Sequence, residues 1–293
     1  MRRHILDHPA SYYAIFFTTR YLPIGLCHAL SKIVVMIIYA FSRRDRRGLA
    51  QNLSLALNRP PGDKVIRKTV RRNFLNYGHY MVDFFLIPQL PAHKIGRFFT
   101  HIEGEKILRD ALAQGRGAIL VSAHVGNWEF GGTMMRLADY PLAVVALAHN
   151  TSATNALVNR IRKDKGIKVI EMDQSPFSAI NVLRHLRQNG VLATIGDRDF
   201  FGRGVPIRFL GRKVRFPVGP VMAAMNSGAA LIPAFVLRRP DGRYLGVLEE
   251  AVSILTKNES DDPVRENLER TARVFEKIIR SYPDQWYCPD PIS

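Results

Sequence analysis

The chain has 293 residues, 47% of them hydrophobic and 10% aromatic, with 42 Lys/Arg against 25 Asp/Glu for a formal charge of +17. This composition excludes a disordered chain and a small disulfide-stapled module. Cys27 and Cys288 lie near opposite ends and form no C-x-x-C pair, which argues against a zinc ribbon, a redox dithiol and a disulfide framework.

The charge is concentrated early: residues 1–100 hold sixteen Lys/Arg and four Asp/Glu, or +12 of the +17. A basic surface attracts nucleic-acid phosphates, anionic lipid or an acidic protein, and the neighbouring residues must decide among them. Apolar stretches run from Tyr12 to Phe17 and from Tyr21 to Phe41, broken by His28 and Lys32 and closed by Arg43-Arg44-Asp45-Arg46-Arg47. This is membrane-flank composition. Residues 1–41 are therefore expected to be a membrane-associating helical region, and residues 42–293 a single α/β domain. A full span would put Lys32 near mid-bilayer at ~2.5–3.5 kcal/mol, so an interfacial or shallowly inserted helix is favoured over a span. A helix buried in the protein's own core is the alternative. A secretory signal fits poorly, because arginines flank the segment and no small-residue cleavage site follows a compact apolar run. The expected location is the cytoplasmic face of the inner membrane, against an anionic surface. No zinc finger, RNA-recognition signature or aromatic stacking platform accompanies the basic residues, so nucleic acid is not an expected partner.

From Gly62 to Pro88 apolar residues recur at helical steps between basic ones, and Pro60-Pro61 and Pro88 bound the run. Glu105 to Gln114 is helical. Gly117–Ala123 is a nearly unbroken apolar run, as in a strand buried on both faces. Similar runs follow at Leu142–Ala148, Ile167–Met172, Val191–Gly196 and Leu231–Leu237, with helices near 128–138, 153–165, 177–189 and 218–227. This alternation predicts an α/β fold with a largely parallel central sheet covered by helices. Arg238 to Arg243 is a turn into Tyr244–Leu248, read as an antiparallel edge hairpin. Pro263 to Ser281 is a closing helix.

Ligands of such sheets collect at the carboxyl ends of strands. After the first run come Ser122-Ala123-His124-Val125-Gly126-Asn127-Trp128-Glu129. If His124 ends the strand, Gly126 turns the chain and Asn127 caps the next helix, Glu129 falls in its first turn, where a bend returns it toward the imidazole. A carboxylate there would orient the ring and stabilise the imidazolium.

This string resembles the H-x-x-x-x-[DE] block of glycerolipid and glycolipid acyltransferases. The likeness is specifically to the H-x-G-N-W-E version in the late acyltransferases of lipid A biosynthesis, the lauroyl and myristoyl transferases. Arg47 to Asn52-Leu53 is similar to that family's arginine-to-Asn-Leu signature. Asn159-Arg160-Ile161-Arg162 is similar to its second basic block, and Gly196-Asp197-Arg198-Asp199-Phe200 to its D-x-D block. Phe209–Gly211, Pro217–Pro220 and Pro283–Trp286 also fit, in order along nearly the whole chain. Asp-Arg-Asp stands where some lipid A enzymes have Asp-His-Asp, and resembles the related acyltransferases of mannosylated phosphoinositides.

The resemblance implies acyl transfer from an acyl thioester, of acyl carrier protein or coenzyme A, to a hydroxyl of a glycolipid such as a lipid A precursor. The thioester is a co-substrate, and no cofactor or metal is expected. His124 is the expected general base, oriented by Glu129. Asn127, Arg160, Arg162, Asp197, Arg198 and Asp199 are the candidate substrate-binding residues, the arginines because a guanidinium forks onto phosphate oxygens. Asp197 has a second reading as the partner of a neighbouring arginine, Asn127 as a helix cap, and Arg160 and Arg162 as solvated helix positions. A membrane-associated thioesterase is the rival class, since a histidine–carboxylate pair can activate water instead.

Overall fold

The computed structural model describes residues 9–147, 152–172 and 176–292. Ala148, the expected end of one strand, lies outside them. The elements in chain order are α1 Pro9–Tyr21, α2 Ile24–Phe41, α3 Arg43–Leu57, α4 Lys64–Leu86, α5 Ala92–Ile95, β1 Phe99–Glu103, α6 Glu105–Ala113, β2 Ala118–Ser122, α7 Trp128–Leu137, β3 Leu142–Leu147, α8 Ser152–Asp164 and β4 Lys168–Met172. They continue with α9 Pro176–Arg187, β5 Val191–Ile195, β6 Val205–Phe209, β7 Arg212–Phe216, α10 Gly219–Ser227, β8 Ala230–Arg238, β9 Tyr244–Leu248 and α11 Pro263–Ser281.

Seven strands form the main sheet in the order β1-β9-β8-β2-β5-β3-β4. Every neighbouring pair is parallel except β8 with β9. Strand β2 is buried throughout, and its side chains divide between two cores. Ile119 and Val121 join Phe235 and Phe275, while Ala118 and Leu120 join Leu108 and Met135. A strand walled by helices on both faces has no solvent side, which is why its sequence does not alternate.

The Tyr244–Leu248 hairpin is antiparallel as expected but does not form the edge, because β1 pairs in parallel outside it. Strand β1 and the separate hairpin β6–β7 lie outside the predicted elements. Their residues are short, half-exposed and interrupted by charge, as at Arg208, Arg212, Lys213 and Arg215, so they show no apolar run.

The connections from β2 through α7 to β3 and from β3 through α8 to β4 move one way along the sheet. Those from β4 through α9 to β5, and from β5 through α10 to β8, move back. With right-handed crossovers, the chain leaving β2 and the chain leaving neighbouring β5 go to opposite faces. The carboxyl ends of β2 and β5 therefore form the topological switch point of the sheet.

Helices α1 to α4 form a layer beside this end. Asp63 caps α4 by accepting from Val65 N at 2.6 Å. Three asparagines tie the layer to the C-terminal segment. Asn52 donates to the carbonyls of Cys288 and Asp290 at 2.7 and 2.8 Å, Asn73 to that of Trp286 at 2.8 Å, and Asn76 to that of Asp284 at 2.9 Å. Gly48 on α3 lies against the same segment, where a Cβ would fall 1.8 Å from the Pro289 carbonyl oxygen.

Candidate active site

Parallel register builds the centre of the site. Ser122 pairs with Ile195 where β2 and β5 end, and the second residue beyond each is His124 and Asp197. Equal offsets from paired strand ends bring the two side chains together. His124 Nδ1 lies 2.6 Å from Asp197 Oδ1, and the His124 backbone N–H donates to Oδ2 at 3.0 Å. The Trp286 indole N–H donates to the same Oδ2 at 3.4 Å.

The turn after His124 is clamped on both sides. Gly126 has φ +69°, and a Cβ there would fall 2.0 Å from the Val236 carbonyl oxygen, so only glycine fits. Gly126 N–H donates to Gln285 O at 3.0 Å, Asn127 N–H to Val236 O at 2.8 Å, and Tyr287 N–H to His124 O at 3.1 Å. The C-terminal segment thus fixes both the imidazole's loop and its carboxylate partner.

Burial raises the Asp197 carboxyl, but the charge and hydrogen bond of His124, with Arg198 nearby, outweigh it and hold the group at about 2. Burial pushes His124 below the ordinary imidazole value, against the opposing pull of Asp197. At neutral pH the ring is therefore neutral beside a carboxylate. With Nδ1–H donated to Asp197, Nε2 is the proton-accepting nitrogen.

Glu129 does not make the expected contact with His124. It sits in the first turn of α7 and is forked by Arg162 of α8, with Arg162 Nε 3.2 Å from Oε2 and Nη2 on Oε1. A helix that starts by turning away from the strand end carries its first-turn carboxylate toward the next helix instead. Burial disfavours the Arg162 charge, but Glu129 beside it more than compensates and raises the guanidinium's pKa.

The other candidates divide. Asn127 is buried and caps α7, its Oδ1 accepting from Phe130 N–H at 3.1 Å, and it does not line the main cavity. Arg160 is exposed and also outside the cavity wall. Arg198 lines the cavity and donates to the Tyr287 carbonyl. Asp199 lines it too, and its carboxylate shapes the following turn by accepting from Phe201 N–H at 3.1 Å and Gly204 N–H at 2.6 Å.

His124, Glu129 and Arg162 face one cavity of about 1230 Å³. Its inner part lies between α7 and the sheet, where Gly131 and Gly132 face Ala146, Ala193, Ala234 and Gly246. A Cβ on Gly131 would meet Val236 at 2.9 Å, so this glycine lets α7 lie close on the sheet at the edge of the apolar space. The outer part is lined by Arg44, Arg198 and Arg203, by the carboxylates of Asp45, Asp199 and Asp290, and by Phe41, Phe200 and Phe201. Trp128 stands between the parts, its ring 5.2 Å from that of His124 and 4.8 Å from that of Tyr80. Sequence reasoning missed the His124–Asp197 pairing, the Gly131-Gly132 wall and the mouth residues Arg44 and Arg203. The one available signal was that His124 and Asp197 each directly follow an apolar run.

Comparison with known proteins fixes the class first: the chain is an acyltransferase. Residues 4–288 match the model of the bacterial lipid A biosynthesis acyltransferase family, and the chain belongs to that family. It is 27% identical over 256 residues to a phosphatidylinositol mannoside acyltransferase of Mycolicibacterium smegmatis, covering 86% of this chain and 81% of that one. Its identity to the lipid A biosynthesis lauroyltransferase of Escherichia coli is 25% over 278 residues, covering 90% and 84%. A phosphatidylinositol mannoside acyltransferase of Mycobacterium tuberculosis is 30% identical over 189 residues, 63% of this chain and 59% of that one.

Proposed function

We propose that the protein transfers a fatty acyl chain from the thioester of acyl carrier protein or coenzyme A to a hydroxyl of an anionic glycolipid, with His124 as general base. The observation that carries this reading is His124, held by Asp197 at 2.6 Å and facing a cavity that is largely apolar and carries both arginines and carboxylates in its wall. The acyl chain occupies the space under Gly131 and Gly132, and the thioester carbonyl lies at His124. The acceptor hydroxyl gives its proton to Nε2 as its oxygen attacks that carbonyl. The C–S bond then breaks and the departing thiolate takes the proton back from the imidazolium. Asp197 fixes the ring tautomer and stabilises the transient positive charge, so no acyl-enzyme and no resident cofactor are required.

Arg44 and Arg203 at the mouth suit an acceptor phosphate, and the same charge would speed encounter with an acidic carrier protein. The anionic membrane surface is the third partner of that face, and the location we infer is the cytoplasmic face of the plasma membrane. A lipid A precursor is the first acceptor to test. A mannosylated phosphoinositide is the second, favoured by the Asp197-Arg198-Asp199 string and by the mycobacterial relatives.

The test is a transfer assay offering acyl-carrier-protein and coenzyme A thioesters with each acceptor. Acyl-glycolipid should form and should vanish in His124→Ala. Release of free fatty acid at the same rate with and without acceptor would make the protein a thioesterase.

A further inference from the structure

Helix α2 is, by length and composition, the one helix among the described residues that is long and apolar enough to cross a membrane. Its contacts argue for a different placement. It runs antiparallel along α4, with His28 Nε2 2.8 Å from Asp83 Oδ1, Ser31 and Val35 against Gly78, and the Tyr39 ring 5.2 Å from that of Phe74. A Cβ on Gly78 would come within 2.6 Å of the Val35 side chain, so Val35 and Ser31 of α2 pack directly on the α4 backbone. Helix α4 is in turn bonded to the active-site segment through Asn73 and Asn76. A bilayer-crossing α2 would drag these amides and that segment into hydrocarbon, where polar backbone and side chains are costly.

The opposite face of α2 is an uninterrupted apolar stripe. Leu26, Leu30, Ile33, Ile37 and Phe41 are all exposed, at steps of four, three, four and four residues. The stripe ends at Phe41, which is 84% exposed on the rim of the cavity. Across the mouth the turn after β5 presents Phe200 and Phe201, 42% and 44% exposed, on a loop stiffened by Asp199. Beside the end of α2, Arg43 and Arg47 are exposed and make no ion pair among the described residues. Large apolar groups rimmed by arginine fit the interfacial layer of an anionic bilayer.

We propose that the Phe200–Phe201 turn is a second membrane-inserting element. With the α2 stripe lying in the plane of the bilayer, it seats the cavity mouth in the interfacial layer. On the reading of the function given above, a lipid acceptor then reaches His124 sideways, without leaving the membrane.

Cys27 and Cys288 are both buried, so a single cysteine introduced at Phe201, Leu26, Ile33 or Ile37 of the full chain can be labelled selectively. The probe is an environment-sensitive fluorophore at each site. It is read on phosphatidylcholine–phosphatidylglycerol vesicles carrying lipids brominated at different depths. All four labels should be quenched at one shallow depth, and Phe201→Ser should lower vesicle partitioning about tenfold. A label at 201 that stays in water while the α2 labels are quenched overturns the second element. A depth that changes steadily from 26 to 37 and passes the midplane overturns the in-plane placement. None of these readouts depends on catalysis, so their failure leaves the acyltransferase reading untouched, and loss of activity would not rescue them.

Discussion

His124, braced from behind by Asp197, and the Glu129–Arg162 pair face the same cavity, yet the first pairing joins two strand ends and the second joins two helices. Strand register fixes the first within a sheet whose neighbours are buried, and Trp286 and the His124 amide add further bonds to its carboxylate. The second depends on how α7 and α8 pack over the sheet, and both of its members keep some contact with water. On the function proposed above, the first pair handles the proton, its carboxylate held at low pKa. The second is a charged strut in the cavity wall. Glu129 is only five positions after His124, and that nearness says nothing about whether the two share a function.

The largest effect should come from breaking the first pair. His124→Ala is expected to lower turnover by about 10²–10⁴-fold with the fold intact, as read by transfer assay and circular dichroism. Asp197→Asn should come close to it, because the amide cannot hold the same tautomer or support the imidazolium. Adding it to His124→Ala should cost little more, since the two residues act as a unit.

The pH profile sharpens the contrast. A general base works as the neutral ring, so activity should rise with pH through the His124 pKa, with the midpoint of the limb below the ordinary imidazole value. Asp197 favours the imidazolium, so its replacement by Asn should move that limb lower still. Replacing Glu129 by Gln should leave the limb in place.

Glu129→Ala should instead cost stability, because it strands the Arg162 charge. About 2–3 kcal/mol in denaturant unfolding is expected, less than the ~3–5 of a fully buried pair, since the Glu129 and Arg162 side chains are 18% and 10% exposed. Its activity defect should multiply with that of His124→Ala. A defect that instead vanishes in the His124→Ala background would restore Glu129 as the residue acting through the imidazole.

Smaller again, Asn52→Ala should cost about 1–3 kcal/mol by leaving two carbonyls without their donor. The smallest effect expected is for Arg160→Lys, within about 0.5 kcal/mol in stability and without change in apparent substrate constant. A clear rise in that constant would move the phosphate contact from the cavity mouth to the exposed side of α8.

The parallel core was readable because strands such as Ala118–Ser122 are apolar on both sides and stand out from the amphipathic helices between them. Helices bounded by Pro, Gly or a capping Asp, such as α4 and α11, were readable to within a few residues. Strand β1 and the β6–β7 hairpin were not, because short half-exposed strands carrying polar or charged residues, Thr100, His101 and Glu103 in β1 and the arginines in β6–β7, resemble loops. His124 was readable as a strand-end residue. Its carboxylate partner was not, because choosing Asp197 over Glu129 requires knowing that β5 and not β3 lies beside β2. Sequence order cannot supply that neighbour in a sheet whose direction reverses.

The bonds from Asn52 and Asn73 to the C-terminal segment span 236 and 213 positions of chain. Contacts this distant in sequence are slow to close, and during synthesis the later partner is made more than two hundred residues after the earlier one. The apolar stripe of α2 is complete long before Trp286 exists to brace Asp197. A nascent molecule is therefore expected to reach a lipid surface before it can catalyse, and recovery of activity in refolding should be the last phase to finish, after the sheet has formed.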